Sequence, residues 1–346
     1  MGDIMPSMND STTILITGAA GFIGSRYVRT VAEDHPEWTI RVLDLLTYSG
    51  NLANLAELED RFTFIQGDIA DPEVVDRAMQ GCTAVVNFAA ESHVDRSLVD
   101  SRPFIHTNVK GVQVLLDAAL RHDVDRFLHV STDEVYGDLE RTAASSIETD
   151  RFDPRSPYAA SKAAAEHLVQ AAHYSHGLHT VMTRGSNTYG PRQYPEKVIP
   201  LFVTNTLEGR PMPIYGDGSA VRDYLHVDDH CKGIDLVLRD GLAGSVYNLG
   251  ARMEITAKRV AELVVEILDG DPSLIQFVKD RPAHDMRYSV NPTAAEALGW
   301  SRTCTFEDGL RDTVQWYVKN EAWWKSIRQG GDFTAWQSKQ YANSEE

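Results

Sequence analysis

Short apolar runs rich in β-branched residues recur through the first half of the chain. They predict six strands, at residues 13–17, 39–44, 62–66, 83–88, 126–131 and 179–184. Between these runs, apolar positions recur at helical spacing, over residues 22–34, 72–79 and 105–121. Nearly continuous apolar strands separated by helices are typical of a parallel sheet that is covered on both faces. The pattern therefore predicts an α/β fold with a doubly wound parallel sheet of the Rossmann type.

The pattern changes after about Tyr189. The stretch "GPRQYPEKVIPLF" is rich in proline and charge, and "RPMPIYGDGSAVRDYLHVDD" predicts loops and short strands. Helical spacing returns at residues 256–268 and 306–320. The predicted division is a disordered leader (1–12), a Rossmann domain (13–188), a smaller α/β substrate-binding lobe from which some strands return to the main domain (mainly 189–330), and a polar tail (331–346).

The composition narrows the class of protein. Of the 346 residues, 42% are hydrophobic and 24% are charged, as in an ordinary globular protein. The formal net charge of −17 argues against nucleic-acid binding, because phosphate contacts need a basic surface. The three cysteines are widely spaced and odd in number, so they predict neither a disulfide framework nor a metal site. No apolar run reaches the roughly 18 residues of a membrane span, and the first residues lack the pattern of a signal peptide. We expect a cytoplasmic protein with no metal, nucleic-acid or membrane partner.

A glycine-rich stretch, "TGAAGFIG", follows the first predicted strand and opens the first helix. Gly18, Gly21 and Gly24 allow a tight turn and the close approach of a pyrophosphate, and the helix N-terminus offers N–H groups to it. Asp44 ends the second strand, 20 residues after Gly24. A carboxylate there accepts hydrogen bonds from both ribose hydroxyls and repels a 2′-phosphate. The sequence therefore predicts NAD, rather than NADP, as the cofactor.

The segment "YAASK" places Tyr158 and Lys162 on one face of a predicted helix. A tyrosine normally keeps its proton up to a pKa of about 10. A neighbouring ammonium, together with a positively charged nicotinamide, favours the phenolate. We therefore expect Tyr158 to act as a base near neutral pH.

Two adjacent carboxylates, Asp133 and Glu134, follow the buried fifth strand in "STDEVYG". Desolvation disfavours the charged form of each, and each disfavours the ionisation of the other. Such a pair tends to share one proton, which gives one acid and one base. The structural alternative is that Asp133 caps a turn and Glu134 faces solvent.

The glycine spacing G-x-x-G-x-x-G resembles that of the short-chain dehydrogenase/reductase superfamily. Together with "YAASK" it is similar to the extended members that act on nucleotide-linked sugars. Five motifs, "STDEVYG", "YAASK", "RGSNTYGPRQYPEKVIPLF", "PIYGDGSAVRDYLHVDD" and "DRPAHDMRY", resemble the dTDP-glucose 4,6-dehydratase family in their order and spacing. The resemblance runs from about residue 13 to about residue 320.

The resemblance implies a hydro-lyase that oxidises C4 of a nucleotide-diphospho-glucose, eliminates water across C5 and C6 and returns hydride to C6. The product would be a 4-keto-6-deoxy sugar nucleotide. It implies that Tyr158 is the base at O4, that Thr132 hydrogen-bonds this oxygen and that Lys162 holds the nicotinamide ribose. It further implies that Glu134 removes the C5 proton and that Asp133 protonates the departing O6 hydroxyl.

The resemblance also implies two binding sets. The cofactor-binding residues would be Gly18, Gly21, Phe22, Ile23, Gly24, Asp44, Asp68, Ile69, Ala89, Ala90, Tyr158 and Lys162. The substrate-binding residues would be Ser92, Asn187, Lys197, Arg222, Asn248, Arg281 and His284. An arginine fork suits phosphate oxygens, so the substrate diphosphate is expected near Arg222 and Arg281.

Two positions depart from the family pattern. Thr188 stands where the family often has a second Asn in "SNNYG", and Ala283 stands where Gly is usual in "DRPAHD". Both would border the substrate, so they leave the sugar and nucleotide preference open, including thymidine against uridine.

Alternatives to this reaction stay open. They are a UDP-sugar 4,6-dehydratase, a 4-epimerase or a decarboxylase of the same fold, and a non-catalytic NAD-binding sensor. Asp133 argues against an epimerase or a decarboxylase, because neither reaction expels the C6 hydroxyl. A sensor would not need Tyr158, Lys162, Asp133 and Glu134 together. The small-residue helix "YAASKAAAEHLVQAA" suits close packing against a partner, and related enzymes dimerise through helices in this region, so we expect a homodimer.

Overall fold

The structure is a computed structural model that describes Met8, residues 12–280 and residues 285–341. Most of the predicted leader lies outside the described residues. Met8 packs against the core and Thr12 is buried, so these two leader positions lie against the folded domain.

Strands and helices alternate along the first half of the described chain. The strands are β1 (Thr13–Thr17), β2 (Thr39–Asp44), β3 (Phe62–Gln66), β4 (Ala84–Asn87), β5 (Arg126–Thr132), β6 (Thr180–Gly185), β7 (Asn187–Tyr189), β8 (Met212–Tyr215), β9 (Val221–His226), β10 (Val246–Leu249), β11 (Glu254–Thr256), β12 (Ile275–Val278) and β13 (Arg287–Tyr288). The helices are α1 (Phe22–Asp34), α2 (Pro72–Met79), α3 (Val94–Val99), α4 (Arg102–Phe104), α5 (Val112–Arg121), α6 (Pro157–His176), α7 (Val198–Leu207), α8 (Val227–Asp240), α9 (Ala257–Leu268), α10 (Thr293–Ala297), α11 (Phe306–Lys319), α12 (Glu321–Arg328) and α13 (Gly331–Tyr341). A π-helical stretch, Ile105–Gly111, joins α4 to α5.

Seven parallel strands form the central sheet, in the order β10-β6-β5-β4-β1-β2-β3. The first three strands have the predicted bounds, because each is a short apolar run between polar turns. The predicted fold class, a doubly wound parallel sheet, is confirmed. The edge strand β10 was not among the predicted strands, and it pairs with β6 after the chain has passed through the second region.

The two faces of the sheet bury different sets of side chains. Ile14 and Ile16 lie in the cluster formed with α1 and α8, whereas Leu15 lies in the cluster formed with α2, α5 and α6. Successive side chains of a strand point to opposite faces, so the three central residues of β1 are all apolar. Helices therefore cover both faces and leave the carboxyl ends of the strands as the place for a cleft.

The second region builds its own small sheets. β9 pairs with β7, β11 and β13, and β8 pairs with β12. Helices α7, α9 and α11 pack on them around Phe202, Val264 and Phe306. This lobe lies over the strand ends. Two elements of the second region belong to the main domain, since β10 is a strand of the central sheet and α8 covers one of its faces. The division into two domains at about residue 188 stays a prediction.

The start of α6 is fixed by its own sequence. Ser156 caps the helix by accepting a hydrogen bond from the Ala159 N–H (3.0 Å), and Pro157 occupies the first turn. Gly177 ends the helix in the left-handed conformation, with φ 72°. These signals place Tyr158 and Lys162 in the first two turns, beside the end of β5.

The segment predicted as a polar tail forms helix α13 over residues 331–341. Phe333 is 1% exposed and Trp336 is 8% exposed. The Phe333 ring lies 6.1 Å from that of Tyr194, and the Arg96 guanidinium lies 4.7 Å from the Trp336 ring centre. Two aromatic side chains therefore hold an otherwise polar helix against the protein. Their partners are distant in sequence, so the segment itself gives no indication of this packing.

Phe333→Ala should lower the free energy of unfolding by about 3 kcal/mol, because it removes a fully buried aromatic ring and leaves a cavity. Chemical denaturation of the full chain measures the change. Asp332→Asn is the matched control, since the Asp332 side chain is exposed in the same helical turn, and its unfolding midpoint should stay at the wild-type value. Equal midpoints for both variants would contradict the docking of α13.

Candidate active site

The carboxyl ends of the central strands open into a cavity of about 290 Å³. A second cavity of about 200 Å³ adjoins it beneath the second lobe. Glu134, Asn187, Glu196 and Lys197 line both, so the two form one continuous cleft. One nucleotide ligand in the first cavity and another in the second can therefore approach each other at these four residues.

The glycine loop fits the diphosphate of a dinucleotide. Gly18 has φ 65°, and a Cβ on it would lie 2.5 Å from the Ala89 backbone nitrogen. A Cβ on Gly24 would lie 2.4 Å from the Gly18 carbonyl oxygen. Gly21 stands at the N-cap of α1 and offers no side-chain cap. The N–H groups of the first helical turn therefore point to the cavity, where a diphosphate can accept them.

Asp44 is held in place for a ribose. One carboxylate oxygen accepts the Ala20 N–H (2.9 Å) and the other accepts the Leu46 N–H (2.8 Å). Burial raises the pKa of Asp44, while these two N–H groups lower it. Each oxygen keeps further acceptor capacity toward the cavity, so the carboxylate fits the two hydroxyls of a ribose.

Every predicted cofactor residue lines the first cavity. They are Gly18, Gly21, Phe22, Ile23, Gly24, Asp44, Asp68, Ile69, Ala89, Ala90, Tyr158 and Lys162. The cradle around Gly18 and the two-oxygen acceptor at Asp44 fit NAD.

A buried polar chain runs beneath the catalytic end of the cavity. The Thr17 hydroxyl donates to Asn87 Oδ1 (2.6 Å), and Asn87 Nδ2 lies 3.0 Å from His129 Nδ1. His129 Nε2 lies 3.2 Å from Lys162 Nζ, which also donates to the Val130 carbonyl (2.7 Å). Lys162 is therefore oriented by β5 and by groups from two neighbouring strands.

The pKa of Tyr158 is shifted in the opposite direction to the sequence prediction. Burial raises its pKa, the Glu134 charge raises it further, and a hydrogen bond with Thr132 opposes them. Lys162 does not offset these effects, because its Nζ is directed to the Val130 carbonyl and the His129 ring. The chain's own groups therefore keep the phenol protonated, and the expected depression of its pKa has to come from the bound cofactor's positive charge.

The carboxylate pair has two different environments. Asp133 is 3% exposed, and its pKa is raised well above the ordinary value by burial, then by Glu134 and Asp223, against Arg222 and Thr132. Its Oδ2 has no hydrogen-bond partner within the described part of the chain. A neutral carboxyl with one oxygen directed away from the protein's own donors can act as a proton donor.

Glu134 occupies the junction of the cleft. It is half-buried, lines both cavities, and its charge raises the pKa values of Asp133, Tyr158 and Tyr288. The alternative in which Asp133 caps the turn does not hold, because Thr132 caps it by accepting the Glu134 N–H (3.3 Å).

Four of the predicted substrate residues line the cleft. Ser92 lines the first cavity, Arg222 lines the second, and Asn187 and Lys197 line both. The Arg222 guanidinium lies 4.5 Å from the Tyr288 ring centre and donates to the carbonyls of Val221 and Asp285. The predicted contacts of Arg281 and His284, and the departure at Ala283, lie outside the described residues.

Asn248 is a correction, because it lines neither cavity. It is fully buried, its Oδ1 accepts the Tyr136 hydroxyl (2.8 Å), and its Nδ2 donates to the Ser146 carbonyl (3.0 Å). The side chain ties β10 to the loop before α6, so its role is structural. Its prediction as a substrate residue rested on the family resemblance alone.

Two buried polar residues were missed, one that lines the first cavity and one that is hydrogen-bonded to a residue lining it. Asn108, in the π-helical stretch, donates to the Ser161 hydroxyl (2.8 Å) and to the Glu91 carbonyl (2.9 Å), so it fixes α6 against the loop after β4. His230 lines the first cavity, and its Nδ1 lies 2.8 Å from the hydroxyl of Thr188, the departure noted above. Neither had a local signal, since each depends on a partner far away in sequence.

Across the described ranges, no group of three or more His, Cys, Asp or Glu side chains could hold a metal ion. The helices within these ranges are all too short or too polar to cross a membrane.

The profile of a protein family described as GDP-mannose 4,6 dehydratase matches residues 15–313. A dTDP-glucose 4,6-dehydratase of Actinoplanes sp. is 49% identical over 90% of this chain and 99% of the relative. One of Streptomyces niveus is 47% identical over 93% of this chain and 97% of the relative. The crystal structure of DesIV, a dTDP-glucose 4,6-dehydratase of Streptomyces venezuelae solved with NAD and TYD bound, superposes with a TM-score of 0.89. Its sequence is 46% identical to this chain, and the superposition covers 91% of this chain and 100% of the DesIV chain.

Burial lowers the pKa of Lys162 from 10.5 to about 8, against the attraction of Glu166. Below pH 8 the fold therefore holds a desolvated ammonium, at a cost of about 3 kcal/mol. Between pH 8 and 10.5 only the unfolded chain binds this proton, so stability rises with pH and the cost disappears.

Lys162→Met should thus raise the free energy of unfolding of the cofactor-free protein at pH 7. The substitution removes the desolvation cost of about 3 kcal/mol, and the loss of the Lys162 hydrogen bonds offsets about 1–2 kcal/mol of this gain. The gain should shrink steadily as the pH rises to 10.5. Guanidinium denaturation at several pH values measures it. Lys232→Met, at an exposed lysine, is the control and should differ from wild type by a pH-independent amount. A Lys162→Met difference that does not vary with pH would contradict the assignment.

Proposed function

This chain belongs to the dTDP-glucose 4,6-dehydratase family, and on that premise we propose how its residues divide the NAD-dependent dehydration of dTDP-glucose. The reaction eliminates water across C5 and C6 of the sugar and leaves a 4-keto-6-deoxy sugar nucleotide. The single observation that carries the division is the buried Asp133 carboxyl, whose environment keeps it protonated beside Glu134.

Asp133 is the acid for the departing O6 hydroxyl. Hydroxide is a poor leaving group, so the C6–O6 bond breaks readily only when a proton is delivered to O6. Burial and the neighbouring negative charges raise the pKa of Asp133 and so provide that proton near neutral pH. An epimerase or a decarboxylase has no need of such a group, which favours dehydration.

Glu134 is the base for the C5 proton. Its half-buried carboxylate lies at the junction of the two cavities, next to Asp133, where C5 and C6 of one sugar can face the two carboxyls. The C4 ketone acidifies the C5 hydrogen, so a carboxylate suffices as the base.

Tyr158 is the base at O4, with the Thr132 hydroxyl beside it and Lys162 below it. Bound NAD supplies the hydride acceptor for C4 and the hydride donor for C6. Lys162, held by Val130 and His129, binds the nicotinamide ribose. The hydrogen bond with Thr132 lowers the pKa of Tyr158, and the positive charge of the bound nicotinamide would favour the phenolate further.

The second cavity holds the nucleoside diphosphate of the substrate. Arg222 supplies the guanidinium, and its stacking on Tyr288 with two backbone acceptors fixes the orientation of its fork. Lys197 and Asn187 border the sugar where the two cavities join, and Ser92 lies beside them, since its carbonyl accepts the Lys197 ammonium (3.1 Å).

Asp133→Asn should slow turnover by about 10²- to 10⁴-fold, because the leaving hydroxide loses its proton donor, while oxidation at C4 continues. The variant should therefore accumulate reduced cofactor when it is given dTDP-glucose, measured by its near-ultraviolet absorbance. Glu134→Gln should fail one step earlier and leave solvent deuterium unincorporated at C5.

Tyr158→Phe is the control for that pair, because it should abolish C4 oxidation as well as dehydration. Normal turnover of Asp133→Asn, or a loss of C4 oxidation as complete as in Tyr158→Phe, would exclude Asp133 as the acid.

The protein is further proposed to form a homodimer through α6. Ala160, Ala164, His167 and Ala171 form one solvent-facing stripe of this helix, three of them exposed and Ala164 half-buried. Beside the stripe, Ile105 of the π-helical stretch is 53% exposed. Small residues let two such helices approach closely, and the flanking apolar side chain would be covered by the second copy.

Ala164→Arg should convert the dimer to a monomer, because the arginine prevents the close approach of the two helices. Analytical ultracentrifugation measures the mass. Ala322→Arg, at an exposed position of α12, should leave the dimer intact. A dimer that persists in Ala164→Arg would place the interface elsewhere.

A further inference from the structure

We propose that Arg192 binds the diphosphate of the cofactor from the second lobe, opposite the glycine loop, and thereby retains NAD. The inference rests on the proposed use of NAD. Arg192 lies in the loop between β7 and α7 and lines the first cavity together with Gly21, Gly50 and Trp323. It was not among the residues that the sequence indicated for the cofactor.

Contacts connect Arg192 to the glycine loop. The Asn54 side chain donates to the Ala20 carbonyl (2.9 Å), and Arg29 donates both to the Asn54 carbonyl (2.6 Å) and to Glu57 (2.8 Å). Glu57 in turn lies 3.5 Å from the Arg192 guanidinium. Arg192 therefore faces the α1 end of the cleft, although it belongs to the second lobe.

Two tryptophans position the guanidinium. It lies 5.4 Å from the ring centre of Trp316, whose ring is 5.0 Å from that of Trp323. Trp323 lines the same cavity and donates its indole N–H to Asn54 Oδ1 (3.0 Å). A guanidinium stacked on an aromatic face keeps its N–H fork in one plane and free to address phosphate oxygens.

The positive charge of Arg192 is only partly compensated by neighbouring groups, so an anion would bind favourably beside it. Burial lowers its pKa, Arg29 and Arg26 lower it further, and Glu57 opposes them. Glu57 is shared with Arg29 and its side chain is 71% exposed, so it compensates the Arg192 charge only weakly. The other cations of the cavity lining are Lys162 and Lys197, which donate to the carbonyls of Val130 and Ser92.

The backbone of Arg192 is unusual as well. It has φ 69°, a left-handed conformation that a residue with a Cβ rarely adopts. Surrounding structure has to impose such a conformation, and it recurs where a side chain is aimed at a ligand.

Two diphosphates enter the cleft, one in the cofactor and one in the nucleotide sugar. Arg192 lines the first cavity, which contains the glycine loop, whereas Arg222 lines the second. The placement assigns Arg192 to the cofactor.

The test compares NAD release from the full-length wild type, Arg192→Gln and Arg192→Lys. Release is followed by dilution of the holoenzyme loaded with radiolabelled NAD. Loss of one charge-assisted contact should speed release from Arg192→Gln by about 10- to 100-fold, with a smaller effect for Arg192→Lys. The KM for dTDP-glucose should change less than twofold in both variants, which are compared at saturating NAD. Arg121→Gln, an exposed arginine of α5, makes the same change in net charge and should release NAD at the wild-type rate.

Arg192→Gly is the second variant, because glycine accepts the left-handed backbone without strain, and it should release NAD as fast as Arg192→Gln. Wild-type release rates in both variants would overturn the proposal. A raised KM for dTDP-glucose with unchanged NAD release would assign the guanidinium to the substrate diphosphate and also overturn it. A wild type that neither carries nor binds NAD would reject the cofactor itself, and the inference with it.

Discussion

Parallel pairing brings the carboxyl ends of neighbouring strands to one edge of a sheet, and the site depends on this constraint more than on any single contact. The glycine loop follows β1, Asp44 ends β2 and Thr132 ends β5. The pairing of these strands therefore brings together groups that are distant in sequence, and no additional structural element is needed. Register is fixed because both faces are buried. A slip of one residue in β1 would exchange Leu15 with its isoleucine neighbours between two different cores.

The fold was readable from the sequence wherever structure is local. The first three strands are short segments rich in apolar residues, and α1 and α2 have the predicted bounds because their apolar spacing lies within the segment itself. Elements that depend on distant partners were not readable. The edge strand β10 is defined by its pairing with β6, and α13 by the docking of two aromatic rings in an otherwise polar segment.

The candidate site divides in the same way. The glycine loop and Asp44 were predicted because glycine spacing and a strand-end aspartate carry a local geometric requirement, the other cofactor residues were predicted from the family resemblance, and all of them line one cavity. Asn248 was misassigned because a family resemblance does not reveal whether a side chain faces the cleft or the core. The pKa of Tyr158 was predicted from neighbouring charges alone, whereas burial is the largest cause for Tyr158 and for Lys162. For Asp133 the prediction included desolvation, and burial is the largest cause there as well. The same desolvation favours the neutral form of all three, so it suits the acid and opposes the other two roles until ligands bind.

The buried chain from Thr17 to Lys162 has a fixed direction of hydrogen bonding. The amide Nδ2 of Asn87 can only donate, so it occupies the single lone pair of a neutral His129 ring at Nδ1 and leaves the hydrogen on Nε2. That hydrogen points to the Lys162 amine 3.2 Å away, and an ammonium has no lone pair to receive it. The orientation of one amide on β4 thus biases the charge state of a lysine on α6, and the Thr17 hydroxyl on β1 donates to the oxygen of that amide. The protonation of the nicotinamide end of the cleft is decided in part from within the sheet, out of reach of solvent.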